Sequence, residues 1–322
     1  MFRYTNQKKE NAYKPRMHIL VLNLLECNKI MPKIQVNNIK LSYHIIGNGP
    51  PVVLIAGLGM DHMCWLYQLP DLHKHYQLIL PDNRGIGQST GSDDQYTTAM
   101  MADDIASLLK KLNINKAHII GTSMGGMIAQ EFALHHPKMV DKLLLCSTFA
   151  KHPEMITYLR KKLHQIRNQN NNGSLPLHSD SFSFGPVYLF LLSQVFDETY
   201  LNTHQTMIAS TLQRFLNQET FVETFLKQLH AIFHHDAMDR LSQITAETLV
   251  ITGNNDSLVP PQCSQTLASK IPQARLQIIE NATHGFHIEQ PDLFNHIIHS
   301  FLSDTQIPDQ YLQQITDDHS II

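Results

Sequence analysis

Six short apolar runs, set apart by stretches of helical periodicity, constrain this 322-residue chain more than any other feature. They are PVVLIAG (51–57), YQLILPD (76–82), AHIIG (117–121), KLLLCS (142–147), TLVITG (248–253) and RLQIIE (275–280). Each has strand length and a continuous apolar centre, the mark of a strand covered on both faces. Residues 97–113 lie between two of these runs and put Met101, Ile105, Leu108, Leu109 and Leu112 on one helical face. Residues 123–137 and 291–304 read as further helices, and 34–47 alternates around Asn37-Asn38 as a hairpin does. Strands alternating with helices imply a mostly parallel α/β sheet flanked by helices. With 43% hydrophobic and 16% charged residues, the chain can bury a large core and is too apolar for disorder.

The alternation lapses over 151–235. Met155, Leu159, Leu163 and Ile166 share a helical face there, a polar break (168–174) follows, and 187–196 is strongly apolar. This segment reads as a helical lid inserted after the sixth strand. The sheet-forming core then divides into 32–150 and 236–304, and 305–322 reads as a polar tail. Residues 1–31 read as a dispensable extension with Met31 as the natural start. The apolar stretch 17–30 follows Lys8, Lys9, Lys14 and Arg16 as a signal peptide would, but Asn23 and Glu26 interrupt it and no small-residue cleavage site follows. A cytoplasmic location is therefore expected over secretion. No apolar run is long enough to span a bilayer. A net charge of −3 gives no pull toward nucleic acid or an anionic membrane. Cys27, Cys64, Cys146 and Cys263 have neither disulfide nor metal-ligand spacing and read as reduced thiols. The 20 histidines include two adjacent pairs but no HExxH or Cys/His pattern, so no metal and no cofactor is expected.

Gly121-Thr122-Ser123-Met124-Gly125, with Gly126 following, falls where a buried run meets a helical one. G-x-S-x-G at such a junction describes a sharp strand-to-helix turn that lifts the serine hydroxyl off the sheet. A phosphate-binding glycine loop is the competing reading, yet no G-x-x-x-x-G-K-[ST] occurs. A serine hydroxyl becomes a nucleophile only beside a base, and the base needs a carboxylate to orient it. Both follow in order. Asp256 comes after the run 248–253 and His284 after the run 275–280, each at the carboxyl end of an expected strand. His287, three residues on, is the rival base.

These residues make the chain resemble the α/β-hydrolase family over about 33–303. AGLGMDHMCW (56–65) resembles that family's His-Gly-x loop, with Ala56 in place of the usual histidine. The resemblance implies an oxyanion hole built from the backbone N–H groups of Leu58 and Met124. PDNRGIGQST (81–90) resembles the family's D-x-R-G-x-G-x-S turn, where Asp82 and Arg84 are structural, and HGFHIEQP (284–291) its H-x-x-x-x-E-x-P ending with Glu289 and Pro291. A serine nucleophile is unlike the haloalkane dehalogenases and epoxide hydrolases, and Thr122 departs from the asparagine frequent in carbon–carbon-bond hydrolases. Small esterases, 3-oxoadipate enol-lactonases and pimeloyl-carrier methyl-ester esterases are the nearest look-alikes.

The function these residues imply is hydrolysis of a carboxylic ester, thioester or lactone through an acyl-enzyme, with Ser123, His284 and Asp256 as the triad. The expected partner is a small-molecule substrate. Arg160, Lys161, Lys162 and Arg167 could dock an acidic acyl carrier protein or could simply be a solvated helix face. A ligand receptor or binding module that retains the triad is the alternative of another class, and perhydrolysis of the acyl-enzyme is a side reaction to expect.

Overall fold

The computed structural model describes residues 31–152 and 184–317. The hairpin becomes strands β1 (Lys33–Val36) and β2 (Ile39–Ile46), the six apolar runs become β3 (Pro51–Ile55), β4 (Gln77–Pro81), β5 (Ala117–Thr122), β6 (Val140–Cys146), β7 (Glu247–Gly253) and β8 (Ala274–Ile279), and the tail supplies β9 (Ile315–Asp317). They form one sheet in the order β1-β2-β4-β3-β5-β6-β7-β8-β9. β3 to β8 run parallel, while β1 and β2 at one edge and β9 at the other are antiparallel to their neighbours. The hairpin turns at Asn37, whose φ of 47° asparagine tolerates better than most residues.

The helices are α1 (Leu69–Leu72), α2 (Thr98–Lys111), α3 (Met124–His135), α4 (Phe184–Val195), α5 (Glu198–Thr203), α6 (Gln205–Leu216), α7 (Phe221–Phe233), α8 (Pro261–Lys270), α9 (Phe286–Glu289), α10 (Pro291–Ser303) and α11 (Asp309–Leu312). β5 is buried along its whole length, His118 and Thr122 included, as a central parallel strand covered on both faces is. One core layer packs α2, α3 and α8 against the sheet and includes Phe132, Leu143 and Val250. The opposite layer packs α10 against it and includes Trp65, Ile120 and Phe294. Where alternation lapses in the sequence, α4 to α7 stand between β6 and β7 with an apolar cluster of their own around Phe215, Phe221 and Phe225.

The polar tail proves more than a trailing segment. Ile307, Tyr311 and Ile315 pack on the α10 side of the sheet, and β9 adds a strand alongside β8. Three apolar residues among polar ones hold it, too sparse a pattern to stand out in the sequence. The basic cluster 160–167, the polar break 168–174 and nearly all of the N-terminal extension lie outside the described residues. Among the described residues no helix is long and apolar enough to cross a membrane.

Candidate active site

Ser123 sits between β5 and α3 with φ 55° and ψ −120°, a conformation that L-residues rarely hold. The strand cannot continue straight into the helix without this kink, and three glycines make room for it. A Cβ on Gly121 would strike the carbonyl of Gly125, and one on Gly125 would strike the carbonyl of Ile55. One on Gly126 would strike the side chain of Thr148. The Thr148 hydroxyl donates to the Ser123 carbonyl at 2.8 Å, and the Ser123 N–H donates to the Cys146 carbonyl at 2.9 Å. The turn is thus clamped from β6. Met124 is the first residue of α3, so its N–H has no acceptor inside the helix. The positive end of the helix dipole lies at the same spot.

Asp256 and His284 follow β7 and β8, and both side chains are buried. His284 Nδ1 lies 2.9 Å from Asp256 Oδ2 and 3.1 Å from Oδ1. A carboxylate only accepts, so Nδ1 is the donor and the Nε2 lone pair is left for another partner. The Asp256 carboxylate also takes the N–H groups of Leu258 (3.0 Å) and Val259 (2.7 Å), which fix its plane. The loop of His284 is tied to the end of α4. Gly285 N–H donates to the Val195 carbonyl at 2.9 Å. Glu289, from the expected H-x-x-x-x-E-x-P ending, accepts the Thr283 hydroxyl at 2.7 Å.

Ser123, His284 and Leu58 line one cavity of about 160 Å³ at the carboxyl edge of the sheet. Its roof is α4, which presents Tyr188, Leu191, Leu192 and Val195 at helical spacing, and Phe225 of α7 closes one side. The apolar run 187–196 therefore faces the cavity as well as the apolar cluster of α4 to α7. Gly57 lies beside Ser123 in the cavity wall, where an added Cβ would stand 3.4 Å from the serine Cβ.

The Leu58 loop lacks the expected histidine at position 56 and is held by other means. The Ala56 carbonyl accepts the Asn83 amide at 3.1 Å. Gln228 of α7 accepts the Gly59 N–H at 2.9 Å, and Asp61 caps the turn that follows while pairing with Arg214 of α6. Gln228 and Arg214 escaped the sequence reading because no local pattern marks a residue 169 or 153 positions from its partner.

Asp82 accepts from His62 Nδ1 at 2.7 Å and from the N–H groups of His62 and Gln88. Burial acts against the His62 proton, but Asp82 outweighs it and raises the His62 pKa. Arg84 pairs with Asp104 through two hydrogen bonds of 2.7 and 2.8 Å. The structure brings His287 to the cavity wall without a bond to Asp256. Its ring lies against Trp65 and Phe294, at 5.5 and 5.9 Å between centroids. Burial, and then the nearby His284, push its pKa down to about 3. A ring so reluctant to take a proton is a poor general base at neutral pH. Among the described residues no group of three or more His, Cys, Asp or Glu is arranged to hold a metal.

A strained serine turn after the fifth strand, a carboxylate–imidazole pair after the seventh and eighth, and helices between β6 and β7 are set on one mostly parallel sheet. The chain belongs to the alpha/beta hydrolase fold family, whose model matches residues 50–291. It is 30% identical to the protein named "Putative carbamate hydrolase RutD" from Serratia proteamaculans, over 82% of this chain and 95% of that one. An enol-lactonase from Burkholderia xenovorans LB400 superposes with a TM-score of 0.72 at 27% identity, covering 84% of this chain and all of that one. A thermophilic esterase from Thermogutta terrifontis gives the same TM-score at 26% identity, over 85% of this chain and 98% of that one. The carbamate hydrolase name was not among the look-alikes the motifs suggested.

Proposed function

We propose that this protein is a serine hydrolase that cleaves a carboxylic ester, thioester or lactone through an acyl-enzyme. The 2.9 Å bond from His284 Nδ1 to Asp256, at the wall of the cavity that Ser123 enters from a strained turn, carries this reading. His284 Nε2 takes the Ser123 proton as the hydroxyl oxygen attacks the acyl carbonyl. The N–H groups of Leu58 and Met124 hold the oxyanion, each worth about 3 kcal/mol of barrier. His284 then protonates the departing oxygen or sulfur, and Asp256 stabilises the imidazolium while it exists. A water, deprotonated by the same Nε2, attacks the acyl-enzyme and releases the acid and free Ser123. No step calls on a metal or an organic cofactor. Among the described residues Cys64, Cys146 and Cys263 carry free thiols, which supports a reducing, cytoplasmic setting.

A fluorophosphonate should label Ser123 stoichiometrically, and Ser123→Ala should lose ester turnover by about 10³-fold or more while its thermal midpoint holds. Failure to label, together with near-normal turnover by Ser123→Ala, would remove the mechanism. Failure to label with slow turnover of every small ester would favour the ligand-receptor reading. The similarity to a protein named as a carbamate hydrolase supports a second substrate class for the same groups, with a carbamoyl-enzyme in place of the acyl-enzyme. Comparing kcat/KM for a carbamate and a carboxylic ester that share one leaving alcohol decides between the two.

A further inference from the structure

Asp256 and His284 sit on separate loops, so their bond lasts only while the two loops keep one spacing. Main-chain contacts supply part of that spacing. Asn254 N–H donates to the Ile279 carbonyl and Asn255 N–H to the Ala282 carbonyl, both at 2.9 Å. A Cβ on Gly253 would strike the same Ala282 carbonyl, so the loops meet backbone to backbone. One side chain adds two more bonds between them. Asn254 Oδ1 accepts the Asn281 N–H at 2.8 Å, and Asn254 Nδ2 donates to Glu280 Oε2 at 2.5 Å. Asp256 lies two residues beyond Asn254, and His284 three beyond Asn281. Asn281 holds φ 55°, a left-handed conformation that a bond to its N–H helps to keep. The clasp continues into the tail. Glu280 Oε1 accepts the Thr316 hydroxyl at 2.9 Å, and Glu280 N–H donates to the Gln314 carbonyl at 2.9 Å, so β9 braces the residue that Asn254 grips.

We propose that Asn254 is a positioning residue of the triad, holding the Asp256 and His284 loops at the spacing their bond needs, with Glu280 and β9 as its brace. This role rests on the serine hydrolase reading and adds a residue to it. Asn254 is exposed and does not line the cavity, so it acts on the reaction only through the two loops. The N–H groups of Leu258 and Val259 hold Asp256 from within its own loop, and the Val195 carbonyl holds the loop of His284 from α4. Neither ties one loop to the other, as Asn254 does. Geometry is what such a tie protects, since displacing a reacting group by about 1 Å can cost on the order of 100-fold in rate. The asparagine amide supplies a donor and an acceptor at once. Aspartate at this position keeps the acceptor for Asn281 but sets a second carboxylate against Glu280. Glu280→Gln then returns a donor to that contact, with the direction of the bond reversed.

The test is a double-mutant cycle in the full chain with p-nitrophenyl hexanoate. Each kcat is referred to the sites that a fluorophosphonate titrates at completion, which removes any misfolded fraction. Asn254→Asp should lower kcat by about tenfold or more and change KM by about twofold or less, since the chemistry is disturbed and the cavity is not. The same substitution in a Glu280→Gln chain should cost less by about fivefold or more, because a hydrogen bond replaces the repulsion. Asn254→Ala, which loses both bonds and adds no charge, serves if the aspartate variant does not fold, and should show the same fall in kcat. A role confined to stability would lower the thermal midpoint and leave kcat per titrated site unchanged. That result overturns the proposal, as does a smaller fall in kcat, a rise in KM at constant kcat, or an equal cost of Asn254→Asp in the two backgrounds. Any of these, with the parent chain turning over ester and labelled at Ser123, sinks this inference alone. No turnover of any ester and no labelling sinks the hydrolase reading beneath it.

Discussion

Gly121 shows how little freedom the Ser123 turn has. Any side chain there runs into the Gly125 carbonyl, and backbone cannot step aside as a flexible side chain can. Gly121→Ala should therefore lose about 1–3 kcal/mol in urea unfolding and displace Ser123 enough to lose most ester turnover. Asp256 is constrained by its bonding. It accepts two backbone N–H groups and the imidazole, so Asp256→Asn changes charge while keeping shape. The new amide can donate to Nδ1, which moves the imidazole proton to Nε2 and leaves no lone pair for Ser123. Turnover should fall on the order of 10³–10⁴-fold with the fold intact, and unchanged turnover in steady-state assays would argue against the pairing.

The helices between β6 and β7 do more than cover the cavity. Through Gln228 and Arg214, α7 and α6 reach the Leu58 loop, and through Val195 α4 reaches the loop of His284. Both loops that flank Ser123 are thus held from the same segment. Gln228→Leu leaves the Gly59 N–H without its acceptor and should loosen the loop that carries Leu58. The expected result is a fall of about tenfold or more in kcat with a smaller change in KM, because the oxyanion contact strengthens only in the transition state. Equal changes in kcat/KM and KM at constant kcat would instead assign Gln228 to substrate binding.

The places of Ser123, Asp256 and His284 at the ends of β5, β7 and β8 were legible in the sequence because each follows an apolar run long enough to be recognised as a strand. The sheet's parallel character came from the same runs. Gln228 and Arg214 were not, since their importance lies in what faces them across the fold. β9 was hidden for a different reason: an edge strand of three residues needs little apolar sequence once β8 offers it a partner.

Across the molecule, buried histidines set the response to acid. His235 joins the end of the inserted helices to α2, through Thr98 at 3.0 Å, and lies close to Glu131 of α3, which Arg240 holds in a two-point ion pair. Asp236 lies beside it in sequence. Burial outweighs Glu131 and lowers the His235 pKa to about 4. The unfolded chain takes up this proton near pH 6.5, whereas the folded chain does not until about pH 4. Stability therefore falls as pH drops through that window, by about 3 kcal/mol from this residue alone. His287, lowered to about 3, extends the loss further into acid. Urea unfolding of His235→Gln at pH 7 and at pH 4.5 should show a shallower loss than the parent chain, and an equal loss would place the acid sensitivity elsewhere.

Everything in the catalytic account passes through a covalent bond between an acyl group and Ser123. Intact mass measured after acid-quenching the enzyme milliseconds into turnover of p-nitrophenyl hexanoate reads that bond. The parent chain should gain the mass of one hexanoyl group, mapped to the peptide that contains Ser123, and Ser123→Ala should gain none. Full turnover with no adduct at Ser123, or the same adduct in Ser123→Ala, would contradict the account.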